Sequence, residues 1–420
     1  MLDLKFVREN KELVENLCAR RGSPAKISEI LELDANRLVM LKKCEILRAE
    51  RNQLTLGAKG GKPSDSDLER GKELKIELSA LEQELGLLER HIKEKLLWLP
   101  NLLADDVPEG TGGEDNVEFK KWGSLPEFSF SVKDHQELGE NLDIIDLARA
   151  AKVAGSRYYY LKGDGALLTW ALHFWATKVL VSRGFTPFFT PGVAKENTLF
   201  GTGYLPFNDV SMYKIEDENY SLIGTSEQTL IGYHADEVLD LSSGPLKYTA
   251  FSPCFRKESG SYGKDTRGIF RVHQFHKVEQ VIFCLPQDSP RYYEECLANE
   301  EYFLQQLEIP YRVVKACVGD MGFPGYKKYD IEAWFPAQDR YREVTSNTNL
   351  TDFQARRLNI RAKIKDDLVY AHTISATGVT DRFIAAILEN YQQEDGSITI
   401  PKVLRDFVGK DLIAHATTAN

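Results

Sequence analysis

Between Cys254 and Glu279 the chain reads CFRKESGSYGKDTRGIFRVHQFHKVE. Two strand-like segments flank a loop of glycine, serine and charge, which predicts a hairpin with a long connection. Its strand ends carry Arg256, Glu258, Arg271, Phe275 and Glu279, where a purely structural strand would carry apolar residues. Arginines grip phosphates through charge-assisted hydrogen bonds, carboxylates accept from amines, and an aromatic ring stacks on a base. The set suits a nucleotide; the competing reading is a solvated hairpin with incidental charge. Three further segments carry matching residue types. Residues 222–227 read LIGTSE, a short polar signature before a helix, with Thr225, Ser226 and Glu227 at its end. Arg342-Glu343-Val344-Thr345-Ser346 leads to the basic run Gln354-Ala355-Arg356-Arg357, and Asp381-Arg382-Phe383 opens a C-terminal amphipathic helix.

The elements that must position these residues alternate short β-rich segments with helices. Tyr158–Leu161, Leu246–Phe251, Val281–Leu285 and Tyr311–Lys315 are expected strands, and Ala166–Arg183 an expected helix that runs into GFTPFFTP. Hairpin connections outnumber strand–helix–strand units, so the pattern favours an α+β fold: an antiparallel sheet flanked by helices. No Gly-x-Gly-x-x-Gly follows a strand and no Gly-x-x-x-x-Gly-Lys-Ser/Thr loop is present, which excludes the common dinucleotide and P-loop modes.

Ahead of this region, residues 1–105 read as helical. Leu74, Leu78, Leu81, Leu85, Leu88 and Ile92 alternate four and three apart, a coiled-coil seam. A preceding helix, near Ser28 to Leu56, offers Leu31, Leu38, Leu41, Leu47 and Leu54 in looser match. Glycines and Pro63 break the pattern between them, and Ser64 with Asp67 resembles a capping pair. Two long helices around a short breaker predict an antiparallel hairpin, a projecting arm with legs of roughly 45 Å. Arg37, Lys42, Lys43, Arg48, Arg51, Lys59 and Lys62 face only Glu45 and Glu50 over residues 37–62, an excess of plus five. Such an excess in a chain of net charge −10 marks the first leg and the tip as a candidate RNA contact. A proline-, glycine- and acid-rich linker at 98–116 sets the expected boundary, giving domains 1–105 and 106–420.

A hydrophobic content of 42% and a charged content of 28% fit a soluble globular chain with room for two domains in 420 residues. No apolar run reaches bilayer length and the first residues lack a signal-peptide core, so a cytoplasmic location is expected. The six cysteines are scattered without a Cys-x-x-Cys pair or a nearby Cys/His cluster, pointing to reduced thiols rather than disulfides or zinc.

Taken together, the sequence resembles the seryl-tRNA synthetases along essentially its whole length. The helix ending at Pro191 is similar to class II motif 1, the 254–279 hairpin to motif 2 and the Arg382 helix to motif 3. The Thr-Ser-Glu signature, the Arg-Glu-Val-Thr-Ser strand, the Asp-Phe-Gln-Ala-Arg-Arg run and the helical arm also have counterparts in that family. The resemblance implies a class II synthetase sheet, a homodimer joined through motif 1, and an arm that grips the variable arm of tRNA(Ser). It implies ATP and L-serine as substrates, Mg2+ as metal, and tRNA(Sec) as a further acceptor.

By the same resemblance, Arg256, Arg271 and Arg382 are the catalytic cations. Arg256 suits the α-phosphate or the amino-acid carboxylate, while Arg271 and Arg382 suit the outer phosphates of a bent ATP. The ATP site extends over Lys257, Glu258, Val272, His273, Gln274 and Phe275, with Phe275 as an adenine platform and Glu258 as acceptor from its amine. Val344 and Thr345 join it, and Glu343 with Ser346 supplies hard oxygen ligands for magnesium. Thr225, Ser226, Glu227, Arg256, Glu279 and Thr377 form the implied serine pocket. A site that hydrogen-bonds the hydroxyl rejects alanine strongly, whereas threonine must be excluded by fit.

The chain departs from the family pattern near motif 3. Ser375-Ala376-Thr377-Gly378 replaces Asn-Gly-Ser-Gly, and Asp381 stands where glycine precedes the arginine. An outward-pointing N-cap is the expected role for Asp381. Ser346-Asn347-Thr348-Asn349 replaces Ser-Cys-Ser-Asn. Rival functions are a noncatalytic RNA-binding paralogue, against which the intact arginines and glutamates argue, and a carrier-protein serine ligase, which would lack the arm.

Overall fold

The computed structural model describes residues 2–57, 64–258, 267–365 and 367–415, in two compact units that divide at Pro100. Lys59, Lys62, Pro63 and loop residues 259–266 therefore lie outside the described residues.

In the first unit, α1 (Ile27–Gly57) and α2 (Asp65–Leu96) form a helical hairpin. Ser64 caps α2 and exchanges hydrogen bonds with Asp67 in a full capping box. Ion pairs Glu29–Lys95, Arg48–Glu82 and Glu50–Arg70 set the legs antiparallel. Such exposed pairs add little energy, and the apolar seam carries the packing. Leu74, Leu78, Leu85 and Ile92 are buried along it, and Leu81 packs at its side. On the first leg the seam differs from expectation. Leu38 is 41% exposed, and fully buried Cys44 with Met40 and Leu41 takes the inner positions. Arg37 folds inward beside it, because the fully buried carboxylate of Asp34 accepts from Arg37 at 2.8 Å and pairs with Arg8 at 3.0 Å. A buried carboxylate needs such partners.

The second unit is built on an eight-stranded sheet. Its strands are β1 (Val117–Trp122), β2 (Thr186–Phe188), β3 (Leu246–Phe255), β4 (Gln274–Cys284), β5 (Tyr311–Lys315), β6 (Lys327–Phe335), β7 (Arg340–Thr351) and β8 (His372–Thr380). The spatial order is β1-β5-β6-β7-β8-β4-β3-β2, antiparallel throughout except where β2 runs parallel to β3. Helices α3 (Asp164–Ser182), α4 (Glu227–Gly232), α5 (Ser289–Gln306), α6 (Phe353–Leu358) and α7 (Arg382–Asn390) pack against these strands. Expected strand Tyr158–Leu161 shrinks to Tyr160–Leu161, which pairs with Ile145–Asp146 outside the main sheet. All six cysteines are free and buried.

Two irregularities aim side chains at one face. In β7, Ile331 pairs with Thr345 but the next residue, Glu332, pairs with Glu343, leaving Val344 as the extra residue. A regular strand would turn residues three apart to opposite faces; the bulge brings Glu343 and Ser346 to the same wall. In β8 the shift falls between Thr377 and Val379. A side chain at Gly378 would meet the Val278 carbonyl at 3.0 Å, so glycine eases the close approach of β8 and β4 there.

Candidate active site

Strands β3, β4, β7 and β8, the 222–227 segment and the start of α7 surround a cavity of about 490 Å3. Along β4, Phe275, Lys277 and Glu279 share the face that lines it, as alternate residues of a strand must.

One end of the cavity is a closed carboxylate cluster. Glu279, only 2% exposed, accepts from Thr225 Oγ1 at 2.7 Å and from Ser375 Oγ at 3.0 Å. The Lys277 ammonium forms an ion pair with the same carboxylate. Glu227 accepts from Gln354 Nε2 at 2.8 Å and from the Tyr204 hydroxyl at 3.3 Å. Burial, followed by the charge of Glu279, pushes the Glu227 carboxyl above its ordinary range. Thr377, opposite Glu279 in the β8–β4 register, completes the wall.

The other end is open and cationic. Arg256 donates through Nε to the Gly224 carbonyl at 3.3 Å, with its guanidinium 5.2 Å from the Phe275 ring centre. Arg271 donates to Glu258 at 3.0 Å, and Glu258 sits at φ +50°. Arg382 donates to the carbonyls of Glu343 at 2.8 Å and Phe270 at 3.2 Å, and covers the Phe270 ring at 4.5 Å. Burial would raise the Glu343 carboxyl, but the charges of Arg382, Lys328 and Arg256 hold it below its ordinary range. Lys328 pairs with Asp330 at 2.8 Å on the adjoining strand.

Of the residues expected from sequence, this cavity gathers Arg256, Glu258, Arg271, Val272, Phe275, Glu227, Glu279, Glu343, Val344, Thr345, Ser346, Thr377 and Arg382. Five others lie off its wall. Thr225 stands behind Glu279 and holds it, while the Ser226 hydroxyl is buried without a hydrogen-bond partner among the described residues. Lys257 is exposed, with its ammonium 5.6 Å from the Tyr213 ring. His273 turns its imidazole to the Arg256 carbonyl at 3.0 Å, and Gln274 lines a second cavity beside Tyr158 and Trp170. Gln274 is one position from Phe275, so strand alternation turns it to the opposite face.

Asp381 overturns the expected outward cap. It precedes α7 but makes no side-chain cap bond and is 1% exposed. Its carboxylate instead accepts from the His276 backbone N–H at 2.6 Å, from the His276 ring at 3.1 Å and from the Tyr159 hydroxyl. Despite burial, which alone would raise it, the His276 hydrogen bond and the nearby histidine charges keep this carboxyl low. Lys277, Tyr204, Lys328 and Phe270 escaped the sequence reading, and Gln354 entered it only as a member of the basic run. Only Lys277 carried a signal, its place between Phe275 and Glu279 on alternate positions.

Comparison with known proteins agrees with this architecture. Residues 1–103 match the model of the seryl-tRNA synthetase N-terminal domain, and residues 213–391 that of the class II tRNA synthetase core domain for G, H, P, S and T. The serine–tRNA ligase of Dictyoglomus thermophilum is 44% identical over 417 residues, covering 97% of this chain and 98% of that protein. The chain belongs to the seryl-tRNA synthetase family. The crystal structure of the Pyrococcus horikoshii seryl-tRNA synthetase complexed with ATP superposes with TM-score 0.92 at 42% identity, covering 99% of this chain and 100% of that one. A cytoplasmic serine–tRNA ligase from Naegleria fowleri in complex with AMP gives 0.87 at 30% identity, with 99% of each chain covered. As in those synthetases, the helical hairpin and the antiparallel sheet occur in one chain.

Proposed function

We propose that this seryl-tRNA synthetase family member activates L-serine with ATP and transfers the seryl group to tRNA(Ser), and that tRNA(Sec) is a second acceptor. The observation that carries the proposal is a single cavity with paired carboxylates at its closed end and arginines at its open end. The serine carboxylate attacks the α-phosphorus, forming a carboxyl–phosphate bond while the bond to the β-phosphate oxygen breaks and pyrophosphate leaves. The attacking group is already ionised, so positioning and charge neutralisation suffice. An acceptor hydroxyl of the tRNA then displaces AMP to give the ester.

Arg256, between the two ends, holds the α-phosphate and the serine carboxylate in line. Arg271 and Arg382 receive the outer phosphates, and Phe275 supports the adenine with Glu258 accepting from its amine. Glu227 and Glu279 take the ammonium and hydroxyl of serine, with Thr225, Ser226 and Thr377 ordering the pocket. Lys257, Val272, His273, Gln274, Val344 and Thr345 shape the nucleotide end. Glu343 and Ser346 fit a magnesium ion, since the β7 bulge gives them one wall and Glu343 is kept anionic. When bound, the metal would supply charge neutralisation for the phosphates.

A homodimer through the motif 1 helix is supported by the apolar face of α3, where Trp170 and Phe174 are exposed. No described helix is long and apolar enough to cross a membrane, and a cytoplasmic location is part of the proposal. Residues 1–105 are assigned to tRNA binding and 106–420 to catalysis. On α1, Arg37 and Arg48 are engaged by Asp34 and Glu82, whereas Lys42, Lys43 and Arg51 are exposed and form no ion pair among the described residues. Reversing these three charges to glutamate should reduce serine charging of tRNA by ~10-fold or more at moderate salt. Serine-dependent ATP–pyrophosphate exchange should stay within about twofold, since phosphate contacts by the arm do not enter activation. Unchanged charging would refute the assignment of the arm.

A further inference from the structure

Lys277 is a buried cation in the cavity wall to which no role has yet been given. It is 6% exposed, lies on β4 between Phe275 and Glu279, and pairs directly with Glu279. A lysine this buried is rare unless a partner holds it. Glu279 also accepts from Thr225 and Ser375, one bond to each oxygen, which leaves acceptor sites of the carboxylate for Lys277 and a ligand. Beyond what those neutral donors give, the Lys277 ammonium brings a formal positive charge to the carboxylate.

The pocket's formal charges show what that contribution does. Glu227 and Glu279 bring two negative charges to the closed end, and Lys277 one positive charge. With Lys277 the closed end carries one net negative charge, matching one substrate ammonium. At the open side Arg256 matches one substrate carboxylate. Without Lys277 the closed end would hold two uncompensated carboxylates in a desolvated site, which is electrostatically costly. Its positive charge also reaches Glu227, whose carboxyl it stabilises in ionised form.

We infer that Lys277 is the resident counter-ion of the amino-acid subsite, which sets the pocket at one net negative charge and holds the Glu279 carboxylate in place for the serine hydroxyl. This rests on the proposed serine–ATP reading of the cavity. It makes Lys277 a specificity-determining residue: with Glu279 kept as an acceptor-only group, a ligand lacking the hydroxyl leaves a buried carboxylate oxygen short of a donor. Alanine is disfavoured as a result.

The test is steady-state ATP–pyrophosphate exchange on the full chain and its variants. Lys277→Met should raise the KM for serine on the order of 10²-fold, as expected for stranding a buried charge, while the KM for ATP stays within about threefold. Lys277→Arg, which keeps the charge, should recover most of the loss. The decisive variant is the double substitution Lys277→Met with Glu227→Gln. It restores one net negative charge and should bind serine better than Lys277→Met alone, by ~10-fold. Should Lys277→Met not fold, Lys277→Gln reads the same split, with the same double partner. A serine KM unchanged in Lys277→Met, an equal rise in both KM values, or no gain in the double variant overturns the inference while leaving the serine–ATP reading intact. Absence of serine-dependent exchange in the unsubstituted chain overturns both.

Discussion

The two ends of the cavity are built on opposite plans. At the closed end the carboxylates are locked by neighbours: Glu279 by Thr225, Ser375 and Lys277, Glu227 by Gln354 and Tyr204. At the open end the charged groups hold one another, Arg271 with Glu258 and Arg382 with Glu343, and the Glu343 side chain is 48% exposed. On the proposed serine–ATP reading, the difference follows from what each end must do. A small ligand offers few contacts, so discrimination requires donors and acceptors already fixed and desolvated. A triphosphate brings several charges of its own and can displace weak, screened ion pairs. Arg256 belongs to both plans, tied to Gly224 and packed over Phe275 between the two ends.

That comparison ranks the perturbations. Arg256→Ala removes the one cation shared by both ends and should lower serine-dependent exchange by ~10³-fold or more, the scale of losing a preorganised transition-state contact. A loss confined to the KM for ATP would break the contrast, because it would make Arg256 a nucleotide residue only.

A smaller effect concerns protons. Glu227 has a raised carboxyl, so in the free protein it keeps its proton above the ordinary carboxylate range. Binding of the serine ammonium favours the ionised form, and serine binding should release protons at pH values below the raised folded pKa. The KM for serine should accordingly fall as pH rises through that value, and Glu227→Gln should flatten the dependence. The same raised pKa works against stability: the folded chain holds the proton longer than the unfolded one, so this group's penalty grows as pH rises from the unfolded to the folded value. A serine KM insensitive to pH, with a KM for ATP that varies instead, would reverse the assignment of the two ends.

How far the sequence discloses the molecule depends on the type of signal. The arm was legible because leucines at alternating spacings of four and three describe a seam, and Ser64 with Asp67 describes a helix start. The misplacement of Leu38 comes from Asp34: a buried carboxylate drew Arg37 into the seam, a preference for pairing that apolar periodicity does not register. Most of the cavity was legible because Phe275 and Glu279 stand at even spacing, on one face of a strand that ends in the apolar run Val281–Cys284. The bulge at Val344, which unites Glu343 and Ser346, breaks that alternation and is invisible to it. Tyr204 and Gln354 reach Glu227 from segments far apart in sequence, and no spacing relates them. Asp381 misled because capping preference describes an isolated helix. Here the N–H of His276, on a neighbouring strand, claims the carboxylate first.

On the proposed reading, the closed end is a pocket for serine and the open end a site for ATP. Serine-dependent ATP–pyrophosphate exchange by the intact chain, run beside alanine and threonine, tests it most directly. The account predicts exchange with serine and kcat/KM values for alanine lower by ~10³-fold or more, because alanine strands the hydroxyl's buried partners. Absence of exchange with serine, or equal exchange with alanine, would contradict it.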